Sequence, residues 1–430
     1  MNLRDYQKQA ALKAAELLNK GKVPYLAMEV RTGKTLTAFA AAYLIKAKNV
    51  LFVTRLKAIS SIREDYNMLP RYFDLHIVNY DSLHKISGNW DLVIIDEAHS
   101  LGAFPKPSLR TKRLKELINN ANVILMSGTP NPESYSQLYH QFWVAGNKSP
   151  FAEYKTFYKW AQIYVTIREK RYNGVKIIDY AKANKELIQP VLDELFISIS
   201  QKEADFNQEV KEEIITIPQD PNVKRLIERF LKDDMFTFKD DTVILGDTGA
   251  KKMLKVHQLS SGTVKTENGI AKKLTSVKAE YIKTNYQNKK IAIYYVYIAE
   301  GEILRSIFPN CTDSPEEFNK CDDKVFICQI QSGSMGVNLK TADYIIFYNI
   351  HYSSLLYWQA RARMQSKDRT KESVIHWLFS QDGIEQKIYD VVMKKKDYTL
   401  YYFKKDYEND RTTITNKSDK HLTTKRGLCI

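Results

Sequence analysis

Gly33-Lys34-Thr35 follows the apolar run Tyr25–Met28 and opens a helical pattern, Thr35–Lys46. A strand, a turn and a helix start in that order make a phosphate cradle, because backbone N–H groups of the turn and the helix N-terminus point at the anion. In such a cradle Arg31, Thr32 and Gly33 supply the turn. Lys34 brings positive charge to the β- and γ-phosphates of ATP, and the Thr35 hydroxyl is a ligand for Mg2+. Gly33 suits its place because a Cβ would obstruct the wrap. Met28 stands where the full pattern has its first glycine. Sixty-two residues beyond Lys34, the apolar run Leu92–Ile95 ends in Asp96-Glu97-Ala98-His99. Strand C-termini of a parallel sheet share one edge. Asp96 is therefore expected beside the cradle, on a neighbouring strand, holding Mg2+ through water. Glu97 is expected to orient and deprotonate the attacking water.

Positioning those groups takes an alternation of buried strands and helices. Apolar, β-branched or aromatic runs recur at Tyr25–Met28, Val50–Thr54, Leu75–Asn79, Leu92–Asp96 and Val123–Ser127. Helical patterns such as Thr35–Lys46 and Leu114–Asn119 separate them, which predicts a parallel α/β sheet over residues 1–150. Residues 151–215 mix aromatic and charged side chains at helical spacing (Tyr154, Phe157, Tyr158, Trp160, Tyr164) and predict a mainly helical insertion. That aromatic stripe is expected to be core before it is a base-stacking platform. Two prolines in Ile217–Pro221 suggest a linker. Alternation resumes over 216–405, with strands expected at Ile291–Tyr295, Val325–Gln329, Tyr344–Tyr348 and Val374–Phe379. Residues 406–430 are polar without an apolar period and read as a loosely ordered tail.

The 430 residues suffice for two or three domains. A hydrophobic content of 44% excludes a mostly disordered chain. Lys and Arg number 65 against 50 Asp and Glu, a net charge of +15 that biases the chain toward nucleic acid before anionic membrane. No apolar run approaches the roughly 20 residues that span a bilayer. The polar start MNLRDYQKQA lacks a signal-peptide core. A cytoplasmic protein with reduced thiols follows as the expectation, since Cys311, Cys321, Cys328 and Cys429 form no CxxC and have no histidine at zinc-ligand spacing.

Further blocks occur in a fixed order. They are Leu3-Arg4-Asp5-Tyr6-Gln7, Leu26–Thr35, Val53-Thr54-Arg55, Asn79–Leu83, Asp96–His99, Ser127-Gly128-Thr129-Pro130, Gln331–Leu339, Gln359-Ala360-Arg361-Ala362-Arg363 and Gly383–Ile388. Together they resemble the superfamily-two helicases and translocases, in particular the Swi/Snf-like branch, in a compact form of the sort phages encode. The resemblance implies two RecA-like P-loop NTPase lobes with parallel sheets around one ATP. It implies that Gln7 reads the adenine edge. It implies that Thr54, Arg55, Lys57, Asn79 and Tyr80 in the first lobe, with Ser332, Gly333 and Asn338 in the second, grip the nucleic-acid backbone. His99, Ser127 and Thr129 would couple hydrolysis to DNA. Gln359 and an arginine finger would complete catalysis from the second lobe. The last arginine of the family's QAxxRxxR block falls on Ser366, so Arg363 is taken as the finger, with Arg361 and Arg369 behind it.

The function implied is an ATP-dependent DNA helicase or translocase. Its partners would be duplex, forked or single-stranded DNA, with replication or recombination proteins alongside, in the host cytoplasm if phage-encoded. The alternative is a nucleotide-gated DNA-binding or loading module with weak or partner-dependent ATPase activity, which Ser366 keeps open. No base-reading motif is evident, so no sequence specificity is expected.

Overall fold

The computed structural model describes residues 3–29, 32–131, 134–172, 175–200, 203–204, 210–333, 339, 341–361 and 372–394. The chain divides into two compact units, Met1–Asn207 and Gln208–Ile430.

In the first unit the elements run α1 (Asp5–Asn19), β1 (Tyr25–Met28), α2 (Lys34–Leu44), β2 (Asn49–Thr54), α3 (Ile59–Asn67), β3 (Asp74–Asn79), β4 (Leu92–Ile95), α4 (Leu109–Ile118), β5 (Asn122–Met126), α5 (Gln137–Trp143), α6 (Phe157–Tyr164), β6 (Arg168–Tyr172), β7 (Val175–Asp179), α7 (Lys185–Leu192) and β8 (Phe196–Ile199). Six strands form one parallel sheet in the order β3-β2-β4-β5-β1-β8. Its middle strands are continuous apolar runs because helices cover both faces. Val50–Val53, Leu92–Ile95 and Val123–Met126 are all buried. Small residues on α1 (Ala10, Ala11, Ala14) and on α2 (Ala38, Ala40, Ala41, Ala42) are buried too, which lets these two helices approach closely.

The second unit runs β9 (Val210–Ile217), α8 (Pro221–Asp233), β10 (Met235–Thr237), β11 (Val243–Leu245), α9 (Gly249–Ser260), β12 (Thr263–Lys265), β13 (Ala271–Lys273), α10 (Val277–Asn285), β14 (Ile291–Tyr295), α11 (Ile298–Ile307), β15 (Cys311–Thr312), α12 (Pro315–Lys320), β16 (Val325–Gln329), α13 (Ile330–Gly333), β17 (Tyr344–Phe347), α14 (Ser354–Arg361), β18 (Ser373–Ser380) and α15 (Glu385–Val392). Its six-stranded sheet is again parallel, in the order β15-β16-β14-β17-β18-β9. The two parallel lobes expected from the sequence are these two units.

Three details differ from expectation. Residues 151–215 are not a mainly helical insertion. They hold two eight-residue helices, the antiparallel ribbon β6–β7, strand β8 at the edge of the first sheet, and most of β9 at the edge of the second. Charge hid the strand: β9 is VKEEIITI, an edge strand whose Glu212 and Glu213 break the apolar run. The aromatic stripe is core, as expected, with Phe157, Trp160 and Tyr164 buried, although Tyr158 is exposed. Second, Ile217–Pro221 is no interdomain linker. Ile217 pairs with Ser380 inside the second sheet, Asp220 caps α8 and Pro221 is its first residue. Third, β4 is not next to β1, because β5 lies between them. The tail from 406 lies outside the described residues. Among the described residues no helix is long and apolar enough to cross a membrane.

Candidate nucleotide site

The cradle is built as its residues dictate. Gly33 lies at φ +85°, the left-handed region that glycine enters without penalty, and α2 starts at Lys34. Space gives a second reason for glycine. A Cβ there would come within 1.9 Å of Gln7 Nε2. Gln7 is buried on α1, and its amide is committed at both ends. Oε1 accepts from the Arg4 N–H at 3.0 Å, and Nε2 donates to the Thr32 carbonyl at 3.3 Å. The Tyr6 hydroxyl donates to the same carbonyl at 3.1 Å. Lys34 Nζ donates to the carbonyls of Met28 (2.9 Å) and Glu29 (3.1 Å), spanning the loop it belongs to. Arg31 lies outside the described residues.

Two strand spacings, about 10 Å, separate β1 from β4, yet the charge of Lys34 reaches Asp96. Burial first, then the Glu97 charge, push the Asp96 carboxyl up to about 6. Lys34 and the Thr54 hydroxyl pull the other way. Asp96 is held from three sides. Its N–H donates to the Val53 carbonyl at 2.9 Å, Thr54 Oγ1 donates to its Oδ2 at 2.9 Å, and the Tyr80 hydroxyl donates to its carbonyl. Thr54 and Tyr80, expected on the nucleic-acid backbone, are both buried and serve Asp96 instead. Asn79 is likewise occupied, because its Oδ1 accepts the N–H groups of Asp81 and Ser82 and caps the turn after β3. Arg55 and Lys57 remain of the first unit's expected grip, and both are partly exposed along the turn after β2.

Glu97 sits at φ +51°, a left-handed conformation rare for a side chain with a Cβ, and heads the short turn Ala98–Leu101. Its Oε2 is buried with no hydrogen-bond partner and lies 3.3 Å from His99 Nδ1. His99 Nδ1 is also 2.9 Å from Ser127 Oγ, which accepts the Thr129 N–H at 3.1 Å. The expected coupling residues His99, Ser127 and Thr129 are thus one bonded group. Burial, reinforced by the Arg55 charge, holds the His99 imidazole down at about 4, so it is neutral at pH 7. His99 Nε2, Thr129 Oγ1 and Arg55 Nε are further buried polar atoms without a hydrogen bond.

In the second unit Ser332 is exposed on α13, its Oγ donating to the Gln329 carbonyl at 3.1 Å, with Gly333 beside it. Gln359 is buried on α14. Asn338, Arg363, Ser366 and Arg369 lie outside the described residues. Arg361 is described and is engaged. Its Nε donates to Glu212 on β9, which also accepts from Tyr357 Oη (2.9 Å), Trp377 Nε1 (3.0 Å) and Tyr389 Oη (3.4 Å). Arg361 holds its own unit together and is a poor finger.

Sequence reasoning missed the polar framework behind this edge. His257 Nε2 is 2.7 Å from Asn349 Oδ1, His257 Nδ1 is 2.7 Å from Tyr297 Oη, and Asn349 Nδ2 donates to Glu300 Oε1 at 2.7 Å. Burial drops His257 to about 3 and raises Glu300 above the usual carboxylate range. Because an amide oxygen only accepts, neutral His257 must donate from Nε2 and accept the tyrosine proton at Nδ1. Nearby, Lys278 Nζ donates to Glu385 Oε1 at 2.8 Å and to the Leu378 carbonyl at 2.9 Å, an ion pair out of reach of solvent. No signal in one sequence links Lys278 to Glu385; the only hint was Glu385 within the Gly383–Ile388 block.

Two parallel α/β units, the first with Gly33-Lys34-Thr35 at the start of α2 and Asp96-Glu97 after β4, have the architecture of a nucleoside-triphosphatase of the helicase type. The profile of the SNF2-related domain matches residues 36–305, well over half of the chain. The chain belongs to that family. The res subunit of type III restriction enzymes matches residues 1–68, which hold the cradle. The chain is 24% identical over 352 residues to YwqA of Bacillus subtilis (strain 168), provisionally named an ATP-dependent helicase/translocase. That match takes in 74% of this chain and 36% of YwqA, so the chain spans about a third of that relative. Helicase SWR1 of Candida glabrata is 32% identical over 102 residues, 21% of this chain and 7% of that protein. The Sulfolobus solfataricus SWI2/SNF2 ATPase core in complex with dsDNA aligns over 100% of this chain and 98% of its own, at 17% identity and a TM-score of 0.41.

Proposed function

We propose that the chain is a Mg2+-dependent ATPase that uses hydrolysis to move along DNA. One observation carries this reading: Lys34 opens α2 after β1, and Asp96 and Glu97 follow β4, at the C-terminal edge of one parallel sheet. Thr35 and Asp96 offer the hard oxygen donors that Mg2+ takes, and the start of α2 offers N–H groups to phosphate. Bound Mg2+ would neutralise charge on the β- and γ-phosphate oxygens. Lys34, which now spans its own loop, would bring its charge to the same oxygens. Glu97 accepts the proton of the attacking water on Oε2, the carboxylate oxygen that has no other hydrogen-bond partner. His99 and Ser127 then feel any shift of Glu97, and Thr129 passes it along the chain that follows β5.

Gln7 acts on ATP through the cradle, which it props from behind; the adenine contact is a second duty proposed for it. Gln359 and Arg363 are proposed to complete catalysis. Arg55, Lys57, Ser332, Gly333 and Asn338 are proposed to hold the DNA backbone, a contact that salt weakens and sequence does not alter. The proposed setting is replication, recombination or repair of a phage genome in the host cytoplasm. A nucleotide-gated DNA-binding module is the second reading, favoured by the tie of Arg361 to Glu212, which removes one replacement for the finger at Ser366.

Steady-state ATP turnover with single-stranded, duplex, forked and RNA ligands side by side tests the proposal. Stimulation by DNA, abolished on raising salt, is expected. Nucleotide binding without turnover would favour the gated module, and indifference to every nucleic acid would reject the motor.

A further inference from the structure

Strands β6 and β7 form an antiparallel ribbon that pairs with no other strand among the described residues. Register places Arg168 opposite Asp179 and Glu169 opposite Ile178. Directly opposed residues share a face, and successive residues alternate. Arg168 is exposed on one face; Glu169 and Ile178, the latter 47% accessible, are exposed on the other. Neither face is covered at these positions. A two-stranded ribbon standing alone is marginal in water and leaves both edges open, so it needs something to hold it.

Its base is held firmly. Val165 bridges to Ala183, and the Thr166 N–H donates to the Lys182 carbonyl at 2.8 Å. The buried hydroxyls of Ser134 and Ser136 donate to the carbonyls of Ala181 and Tyr180, each at 2.6 Å. Those two serines lie a few residues past Ser127–Pro130, so the ribbon is fastened to the chain leaving the hydrolysis-sensing motif. The Tyr180 ring packs on Phe157 at 5.5 Å and on Tyr158 at 5.9 Å, which anchors the base of the ribbon to the first unit's core.

Charge names the occupant. By sequence the two strands carry Arg168, Lys170, Arg171 and Lys176 against Glu169 and Asp179, on a chain of net charge +15. A basic two-stranded ribbon has the width that the major groove of B-form DNA admits, about 12 Å. We infer that the β6–β7 ribbon is a duplex-DNA contact of the first unit, binding groove walls and phosphates without reading bases. The inference rests on the DNA-binding part of the proposed function, though not on turnover. It adds a binding element outside the motif residues, tied mechanically to one of them.

Binding of the full chain to a duplex of about 30 base pairs, titrated from roughly 50 to 200 mM salt, tests this. Two variants are compared with the parent: Arg168→Gln/Lys170→Gln/Arg171→Gln/Lys176→Gln, and replacement of residues 168–179 by Gly-Ser-Gly. Every phosphate that the protein no longer neutralises makes the slope of log K against log salt shallower by about 0.9. We expect both variants to flatten the slope by about 2 and to weaken binding by about two to three orders of magnitude at the low-salt end. Basal turnover should stay unchanged, which also shows that the variants fold. Slopes equal to the parent's in both variants overturn the inference, and point to a protein strand as the partner of the open edges. A parent that binds no duplex also overturns it. A parent that binds duplex with the expected slope but shows no DNA-stimulated turnover leaves the ribbon standing and removes the motor.

Discussion

The C-terminal edges of the two sheets are made of similar residues and finished differently. In the first unit the polar groups past β2, β4 and β5 leave buried atoms unbonded: Arg55 Nε, Glu97 Oε2, His99 Nε2 and Thr129 Oγ1. In the second unit the groups past β14 and β17 bond one another in a closed chain, from Tyr297 through His257 and Asn349 to Glu300, whose Oε2 takes the Val296 and Tyr297 N–H groups. A buried polar atom left unbonded costs about 1–3 kcal/mol. A cluster of them is retained where chemistry needs the groups free. A satisfied network rigidifies what surrounds it. The bonded chain past β14 and β17 thus holds its loops still, and the open atoms past β4 suit the proposed chemistry; past β18, Glu385 Oε2 is likewise buried and unbonded.

The largest expected effects would break that contrast outright. Glu97→Gln should lower turnover by about 10²–10⁴-fold, the range of a lost general base, with thermal stability unchanged or raised, since a charge leaves a confined place. Lys34→Ala should abolish turnover with the fold intact, read by hydrolysis beside circular dichroism. On the other edge the response is reversed. Lys278→Met strands the Glu385 carboxylate in the interior and should cost about 3–5 kcal/mol in denaturant unfolding of the second unit. Lys278→Met/Glu385→Leu should recover most of it, and a double variant as unstable as the single would show that the pair is not insulated from solvent. Arg361→Ala belongs with these. A loss of stability with the hydrolytic rate per folded molecule preserved is expected, and the opposite pattern would make Arg361 the finger.

Acid sharpens the comparison more gently. Burial holds His257 at about 3 and His140, in the first unit, at about 4. The unfolded chain protonates these rings below about pH 6.5, so their stabilisation is complete above that value. It falls as pH drops, by up to about 1.4 kcal/mol per pH unit for each ring. Urea midpoints should be flat from about pH 8 to 7 and decline below about 6.5. His140 stops contributing near pH 4, whereas His257 continues toward pH 3. The smallest effect is expected at Thr54→Val, which removes one hydroxyl from Asp96. It should raise the Mg2+ needed for half-maximal turnover about three- to tenfold, worth roughly 1 kcal/mol, while leaving DNA affinity alone. Weakened DNA affinity would return Thr54 to the nucleic-acid surface.

The buried strands were legible in the sequence because each is an unbroken apolar run, and Val50–Val53 and Ile291–Tyr295 need no context to be read. Strands at the margins were not. β9 mixes Glu212 and Glu213 with isoleucines, and β6 is REKRY, so both look like helical or loop sequence until a neighbour supplies hydrogen bonds. The order of motifs told which strand ends meet, but not which way a side chain turns. Thr54 and Tyr80 follow or close their strands as expected, yet both turn inward to Asp96. Long-range partners such as Lys278 with Glu385, or Arg361 with Glu212, lie more than a hundred residues apart and leave no local pattern.

Strand β5 has a neighbour on each side, β4 with its acids and β1 with the phosphate loop. It cannot slide sideways without tearing two ladders at once. On the proposed reading, strain arising at a bound phosphate would leave along it lengthwise, toward Ser127. Ser127 Oγ and the Thr129 N–H, bonded to each other at its mouth, would then stand where that strain comes out.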